Sequence, residues 1–322
     1  MTMRDLTYID AASLPRLLPF PALIDGLADI FRTSAAAPLR HHHHLSSAGL
    51  PERELLIMTA WTADHLAVKL VTLYPENRQS GLPTITGLIT LFDGATGQPL
   101  ALLDAGEVTA RRTAAASALA ARFLAPVDAK CLLAVGSGRL IPYLVEAHTA
   151  VRRFEQVKIW ARDGDQAAQV ADYVGTLLPR GVSVQPVTDL ERATAEADVI
   201  TMATRATAPV IRGEWVKAGT HLDLIGAYRP DMCEVDDECI RRAAVFVDTF
   251  EGALSEAGEL IGALERGVID RAHVRADLSA LVRGAHPGRT GATETTLFKS
   301  VGTAVEDLAA ATLAYQRYQA EI

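Results

Sequence analysis

The chain contains little cysteine and no long apolar run. Its three cysteines are odd in number and form no metal-spaced pair, so we expect neither a disulfide framework nor a cysteine metal site. No uninterrupted run of about 18 apolar residues is present, which argues against a membrane-spanning helix. The first residues lack the apolar core of a signal peptide, and we therefore expect a cytoplasmic protein. The cysteines are Cys131, Cys233 and Cys239.

The sequence also lacks an excess of positive charge. It carries 31 Lys and Arg against 39 Asp and Glu, a net charge of -8 at pH 7. Scattered basic residues on an acidic chain argue against nucleic acid or an anionic membrane as the main partner. The length of 322 residues exceeds one typical core, so we expect two domains.

A Gly-Ser-Gly turn in the middle of the chain is the strongest local motif. It follows the apolar run 131–135 and precedes a helix-like segment, 140–152, which is typical of the first βαβ unit of a Rossmann domain. The third glycine of the dinucleotide fingerprint is replaced by Ile141, and an ordinary strand-turn-helix corner would give the same pattern. The predicted cofactor contacts at this turn are Gly136, Ser137, Gly138 and Arg139.

The next strand, 156–160, bears on the choice of cofactor. A site selective for NAD places an acidic residue about 20 residues beyond the glycine turn, against the ribose 2′-hydroxyl. Here the strand is followed by Arg162, whose guanidinium suits a 2′-phosphate. Asp163 is the alternative ribose contact. We therefore favour NADPH, with NADH as the alternative.

The remaining pattern predicts a mostly antiparallel sheet followed by alternating strands and helices. Strand-like runs occupy 54–59, 66–73, 86–92 and 99–104, with a turn at 93–97, and an alanine-rich helix covers 107–124. Pro126, just past this helix, marks a boundary before a Rossmann-type domain, and the alanine-rich segment 303–322 is predicted to be a final helix that can pack back on the first, mixed α/β domain. An earlier helical segment, 14–35, is interrupted by prolines.

Four ordered segments give the chain a resemblance to the ornithine cyclodeaminase/μ-crystallin family, and the similarity runs from about Tyr8 to the end. The segments are Ala67-Val68-Lys69-Leu70-Val71-Thr72-Leu73-Tyr74-Pro75, Thr109-Ala110-Arg111-Arg112-Thr113-Ala114-Ala115, Gly226-Ala227-Tyr228-Arg229-Pro230-Asp231-Met232 and Thr296-Leu297-Phe298-Lys299-Ser300-Val301-Gly302. The resemblance implies an NAD(P)-dependent oxidoreductase with two domains. Residues 1–124 with 303–322 would form a substrate and dimerisation domain, and residues 125–302 a dinucleotide-binding domain. The resemblance also implies a homodimer.

Lys69 and Arg112 are the substrate-binding residues that the resemblance implies. Lys69 lies in an apolar strand, where an unpaired buried ammonium would cost several kcal/mol, so an anion is expected beside it. An edge-strand lysine that extends its ammonium to solvent is the alternative. Arg112 can hold a carboxylate through two parallel hydrogen bonds. The family also implies that Arg40 belongs to the substrate site and that Thr113, Ser300 and Val301 contact the cofactor, although a helix-entry turn is the alternative for the last two.

The position of Tyr228 distinguishes the ornithine cyclodeaminases from the other enzymes of the family that this chain resembles. Ornithine cyclodeaminases resemble this segment but carry an aspartate here, and a phenol with a pKa near 10 cannot replace that carboxylate. The chain therefore most resembles the branch that reduces cyclic imines with a 2-carboxylate, such as Δ1-pyrroline-2-carboxylate or Δ1-piperideine-2-carboxylate, to L-proline or L-pipecolate. Ornithine cyclodeaminase, alanine dehydrogenase and a μ-crystallin-like binding protein are the alternatives. Tyr228 either orients the imine or packs as an ordinary aromatic residue.

Other polar residues are expected to have structural roles. The run His41–His44 is expected in a strand, where consecutive side chains point to opposite faces, so we predict no metal site. Arg111 is expected to face solvent, and Asp231 to cap a following helix. A solvated face is predicted for Glu234, Asp236 and Asp237, and strand-end hydrogen bonding for Asp223 and Asp248.

Overall fold

A computed structural model describes residues 6–33, 35–45, 51 and 53–321. The strands are β1 (Thr7–Ile9), β2 (His41–His44), β3 (Glu54–Trp61), β4 (His65–Leu73), β5 (Ile85–Asp93), β6 (Pro99–Asp104), β7 (Cys131–Val135), β8 (Gln156–Trp160), β9 (Ser183–Pro186), β10 (Val199–Met202), β11 (Thr207–Ile211), β12 (His221–Leu224), β13 (Cys233–Val235), β14 (Ala244–Val247), β15 (Val274–Asp277) and β16 (Thr296–Lys299).

The helices alternate with these strands in the second half of the chain. They are α1 (Leu14–Leu17), α2 (Phe20–Arg32), α3 (Ala105–Leu124), α4 (Leu140–Val151), α5 (Gly164–Leu177), α6 (Leu190–Glu196), α7 (Asp237–Arg242), α8 (Phe250–Glu256), α9 (Gly258–Glu265), α10 (Leu278–Val282) and α11 (Ala304–Gln319). Short 3₁₀ helices cover Pro75–Ser80, Gly213–Trp215 and Arg271–His273. Within the described part of the chain, no helix is long and apolar enough to cross a membrane.

The chain divides into two compact units. The first comprises Met1–Thr113 with Thr303–Ile322, and the second comprises Ala114–Gly302. The division falls inside α3, whereas the sequence placed a boundary after that helix. The final helix belongs to the first unit, so the chain leaves this unit and returns to it after the second is complete.

The first unit is built on a six-stranded sheet in the order β1-β6-β5-β4-β3-β2. Neighbouring strands are antiparallel except for β1 and β6, which run parallel. The β5–β6 hairpin turns at Asp93, whose side chain accepts hydrogen bonds from the backbone N–H groups of Ala95 and Thr96. The expected antiparallel, hairpin-containing sheet is confirmed, and α11 packs against β3, β4 and β5.

Proline interrupts the first helical segment as expected. The segment divides into α1 and α2 because Pro19 adopts an extended backbone conformation directly before Phe20. Leucines spaced for one helical face, including Leu23 and Leu27 of α2, are fully buried. This apolar face packs against α11 within the same unit.

The second unit contains an eight-stranded parallel sheet in the order β15-β14-β16-β12-β10-β7-β8-β9. Strands such as β7 are apolar throughout because helices cover both faces of such sheets. Phe246 and Phe298 are among the largest fully buried side chains. The strand order reverses about β7, as in a doubly wound fold, and the predicted mixed α/β class with a Rossmann-type parallel sheet is confirmed.

Candidate functional site

Strand β4 places Lys69 on the buried face of the first unit's sheet. Ala67 and Val71 share that face, and Lys69 is only 3% exposed. Its Nζ lies 3.0 Å from Oδ1 and 3.2 Å from Oδ2 of Asp307, on α11. The anion expected beside Lys69 is therefore present, and it is a carboxylate of the protein.

The same carboxylate binds Arg112 of α3. The Arg112 Nε donates to Oδ1 of Asp307 at 3.1 Å, and its Nη1 donates to Oε2 of Glu306. All four side chains are at least 94% buried. We call Lys69, Arg112, Glu306 and Asp307 the charged cluster; it is a neutral set of two cations and two anions in the interior of one unit.

Burial shifts the protonation equilibria of this cluster. The pKa of Lys69 is lowered to about 8, chiefly by removal from water; Asp307 opposes this shift, and the positive charges of Arg112 and Arg40 contribute to it. Burial also disfavours the charged form of Arg112. The negative charges of Asp307 and Glu306 have a larger, opposite effect, so the pKa of the Arg112 guanidinium is raised. Lys69 is thus a group able to hold or give up a proton near neutral pH.

Three further predicted residues lie in the first unit. Arg40 precedes β2, is half-buried, and acts electrostatically on Lys69. Thr113, next to Arg112 on α3, is buried. Arg111 was expected to face solvent, which is wrong: it is buried, donates to Glu107 and to the carbonyl of Leu18, and so serves packing within the unit.

The Gly-Ser-Gly turn of the second unit joins β7 to α4. Gly136 has φ +134°, and a Cβ there would lie 3.0 Å from the carbonyl oxygen of Ala203, so the turn requires glycine. A Cβ at Gly138 would meet no atom within 4 Å, which leaves open space in front of α4. Ser137 bonds Gln166, and Arg139 directly precedes the helix. Open space before a 12-residue helix N-terminus fits a dinucleotide pyrophosphate.

A basic and an acidic residue follow the end of β8. The carboxylate of Asp163 accepts hydrogen bonds from the backbone N–H groups of Asp165 and Gln166 and so caps α5. Arg162, beside it, is exposed. Both side chains are exposed, and one oxygen of the Asp163 carboxylate is bound by the protein's own backbone.

Glu234 lies behind the segment that contains Tyr228. It was expected on a solvated face, which is wrong: Glu234 is fully buried and accepts four hydrogen bonds, from Thr204, Gly226 and Ala227. Burial raises the pKa of Glu234 to about 7, assisted by Glu259 and opposed by Lys299 and by the hydrogen bonds from Thr204. Tyr228 itself is half-buried and packs against the apolar core of the unit.

Other acidic residues near this segment depart from expectation in part. Asp231 caps no helix; it forms an exposed ion pair with Arg229. Asp236 caps α7, and Asp237 pairs with Arg266. Asp223 lies inside β12 rather than at its end, where it is buried and bonds His148 and Thr201.

Asp248 organises the segment that follows β16. One of its oxygens, Oδ2, accepts hydrogen bonds from the Ser300 hydroxyl at 3.0 Å and from the backbone N–H groups of Val301 and Gly302. Ser300 and Val301 are buried. Asp248 therefore has the structural hydrogen-bonding role that was expected, and it holds the Ser300 hydroxyl and the Val301 backbone of the two predicted cofactor contacts.

The chain matches a known protein family over most of its length. The model of the ornithine cyclodeaminase/mu-crystallin family matches residues 26–321. The chain belongs to the ornithine cyclodeaminase/mu-crystallin family. The resemblance seen in the sequence is thereby confirmed.

Several members of this family match almost the whole chain. A Δ(1)-pyrroline-2-carboxylate reductase of Colwellia psychrerythraea is 35% identical over 95% of this chain and 97% of its own. The structure of the Thermococcus litoralis Δ(1)-pyrroline-2-carboxylate reductase, in complex with NADH and L-proline, has a TM-score of 0.92, 34% identity and 98% coverage of both chains. An archaeal alanine dehydrogenase dimer with bound NAD has a TM-score of 0.90, 29% identity and 98% coverage of both.

The histidine run lies in an exposed strand. His41–His44 form β2, and all four residues are exposed. Among residues 6–33, 35–45, 51 and 53–321, no three histidine, cysteine or acidic side chains are arranged to hold a metal ion.

The sequence did not predict that Glu306 and Asp307 pair with buried cations, or that Glu234 is buried. Thr303 followed by Glu306 reads as a capping box at the start of a helix, where the acid would serve the helix itself. Thr303 does cap α11, but Glu306 pairs with Arg112 instead. Two adjacent acids at the start of a largely apolar helix are the signal that could have identified partners for buried cations.

Proposed function

We propose that this protein is an NADPH-dependent reductase of cyclic imines that carry a 2-carboxylate, namely Δ1-pyrroline-2-carboxylate and Δ1-piperideine-2-carboxylate. The products are L-proline and L-pipecolate. The observation that carries the proposal is the pair of buried cations, Lys69 and Arg112, in a chain that has Tyr228 where ornithine cyclodeaminases have an aspartate. The names of the two pyrroline-2-carboxylate reductases that match the chain support it.

Substrate binding is assigned to the basic residues of the first unit. Arg112 presents a planar guanidinium whose orientation is fixed by Glu306 and Asp307, and such a group recognises a carboxylate by charge and geometry together. Lys69 and Arg40 add positive charge in the same unit. Tyr228, a half-buried aromatic residue with a hydroxyl group, orients the imine ring.

Lys69 is the proposed catalytic acid. A cyclic imine accepts hydride at C2 once its nitrogen is protonated, and a lysine with a pKa of about 8 can supply that proton near neutral pH. Lys69 gives one proton to the imine nitrogen, C2 gains the hydride, and solvent returns a proton to the lysine. Asp307 holds Nζ throughout.

The cofactor, when bound, supplies the hydride. Gly136, Ser137, Gly138 and Arg139 are proposed to bind its pyrophosphate, and Arg162 its 2′-phosphate, because the neighbouring Asp163 is committed to capping α5. Thr113, Ser300 and Val301 are proposed contacts at the nicotinamide end. Since the Thermococcus neighbour holds NADH, the preference for NADPH rests on Arg162 and Asp163 of this chain.

The outer face of the first sheet is the proposed homodimer interface. Tyr8, Leu70 and Leu88 are large, exposed and on that face, and Leu70 lies directly opposite Leu88 between β4 and β5. An apolar sheet face of this kind is typical of protein interfaces. The dimeric alanine dehydrogenase that matches the chain supports this assignment.

The test is to mix purified protein with NADPH and each imine and to follow the loss of absorbance at 340 nm. Parallel mixtures contain L-ornithine with NAD⁺, or pyruvate and ammonia with NADH. Rapid oxidation on the imines alone supports the proposal. Proline and ammonia from ornithine, turnover of pyruvate at a higher rate, or tight NADPH binding with no turnover would each replace it with one of the alternatives.

A further inference from the structure

Glu234 has a hydrogen-bond set that joins two separate loops. Its Oε1 accepts from the backbone N–H and the hydroxyl of Thr204, both at 2.8 Å. Its Oε2 accepts from the backbone N–H groups of Gly226 at 2.7 Å and Ala227 at 3.3 Å. Each oxygen of this fully buried carboxylate therefore serves a different part of the chain.

Both loops follow neighbouring strands of the parallel sheet. Thr204 comes two residues after β10 ends at Met202, and Gly226 comes two residues after β12 ends at Leu224. Strands β10 and β12 are paired, with Met202 opposite Leu224. Glu234 thus links two adjacent loops at the carboxyl edge of the sheet, which is the edge where α/β folds bind ligands.

The chemistry of this link requires a carboxylate and a glycine. Four donors converge on two oxygens, and an amide would provide one acceptor oxygen and turn its NH₂ group toward two other donors. A Cβ on Gly226 would lie 2.4 Å from Glu234 Oε1 and 2.1 Å from the Thr204 carbonyl oxygen. The loops can approach this closely only with glycine at position 226.

The backbone of Glu234 is held as firmly as its side chain. Its N–H donates to Oε1 of Glu259 at 3.0 Å, and Glu259 forms a buried ion pair with Lys299 at 3.3 Å. Lys299 is the last residue of β16 and directly precedes Ser300. The network therefore connects the ends of three parallel strands, β10, β12 and β16.

We propose that Glu234 is a positioning residue, which holds Thr204 and the segment 226–228 in place for the nicotinamide half of the cofactor and for the substrate. In the sheet order, β12 and β10 lie on one side of β7, which carries the glycine turn, and β8, which carries Arg162, lies on the other. Arg162, the proposed adenosine-side contact, is therefore separated by β7 from the loops that Glu234 holds, whereas the glycine turn is next to the loop of Thr204, because Gly136 faces the carbonyl oxygen of Ala203. The proposal rests on the proposed function for the identity of the ligands.

The experiment compares Glu234→Gln with two other variants. Thr204→Val removes one donor and keeps the carboxylate, so it serves if Glu234→Gln fails to fold. Asp198→Asn is the matched control: Asp198 precedes β10, and its carboxylate accepts from the backbone of Lys130 and Cys131 at the opposite edge of the sheet. Both Asp198 and Glu234 bridge separate segments, but only Glu234 does so at the ligand edge.

The measurements are imine kinetics, thermal unfolding and binding of two ligands, NADPH and 2′-phospho-ADP-ribose, which is NADPH without nicotinamide. We expect Glu234→Gln to lower kcat by about 10-fold to 100-fold and to weaken the binding of NADPH more than that of 2′-phospho-ADP-ribose. Thr204→Val should change the same quantities in the same direction by less. Asp198→Asn should lower the melting temperature alone.

The proposal is overturned if Glu234→Gln weakens both ligands equally, or if Asp198→Asn reproduces its kinetic effect at the same loss of stability. The first result would mean that Glu234 does not act on the nicotinamide half in particular, and the second would give it a role in stability only. The test does not depend on the proposed reaction. A wild-type protein that reduces no imine would refute the proposed function, whereas the two ligand affinities would still decide the role of Glu234.

Discussion

The ion pair between Lys69 and Asp307 permits a quantitative prediction about buried charge. The two groups are 3.0 Å apart and almost fully inaccessible to water. At an effective dielectric constant of about 20, Coulomb's law gives an attraction of about 5 kcal/mol at this distance. Removing one partner leaves the other buried, which typically costs about 3–5 kcal/mol.

The perturbation is a double-mutant cycle of Lys69→Met, Asp307→Asn and the double variant. We expect Lys69→Met to lower the free energy of unfolding by about 3 kcal/mol, because Asp307 keeps Arg112 as a partner. The double variant should lose about 3 kcal/mol less than the sum of the single variants, since neither charge is then stranded. Urea unfolding followed by circular dichroism measures each value.

An exposed pair in the same unit is the control. Arg32 and Asp29 are 2.8 Å apart on α2, but their side chains are 55% and 76% exposed. A cycle of Arg32→Met and Asp29→Asn should show no measurable coupling, because water screens such pairs. If the Lys69–Asp307 cycle were as additive as this control, the burial argument for the charged cluster would be refuted.

Three further predictions concern activity. Because Lys69 has a pKa of about 8, kcat/KM for the imine should fall as the pH rises through that value. The Lys69→Arg variant should not show this fall. A pH profile that the substitution leaves unchanged would contradict the role of Lys69. Arg162→Ala should raise the KM for NADPH about 10-fold and leave that for NADH unchanged, with the exposed Arg180→Ala as control in the same steady-state assay. Gly136→Ala should weaken cofactor binding at least about 10-fold in a fluorescence titration, because Gly136 has a φ of +134° and an added Cβ would contact Ala203. The control is Gly175→Ala on α5, where an added Cβ meets open space, and this variant should retain wild-type affinity.

The sequence predicted those parts of the fold that local pattern determines. The Gly-Ser-Gly turn lies between β7 and α4, and the hairpin over 93–97 joins β5 to β6. Strand β16 was missed because four residues beside a helix give too short a pattern for a period to show. Its place between β12 and β14 depends on pairing with distant strands, which no local window contains.

The basic residues of the candidate site could be predicted from the sequence, but the acidic residues that pair with them could not. An apolar strand around Lys69 demanded an anion, but the partner lies 238 residues further along the chain. Glu234 occurs in an acidic run that resembles a solvated surface, and only the return of β13 beneath the loops after β10 and β12 buries it. Long-range topology, rather than residue type, decided both cases.

The return of α11 to the first unit has a consequence for biosynthesis. A ribosome that adds roughly 5–20 residues per second makes Asp307 about 12–48 s after Lys69. Once Arg112 has also been made, and for the rest of that interval, the nascent first unit contains two cations that are buried in the folded protein and neither of their carboxylates. The first domain to be started is therefore the last to be finished, and a chain that stalls before α11 would expose this sheet face to chaperones and proteases.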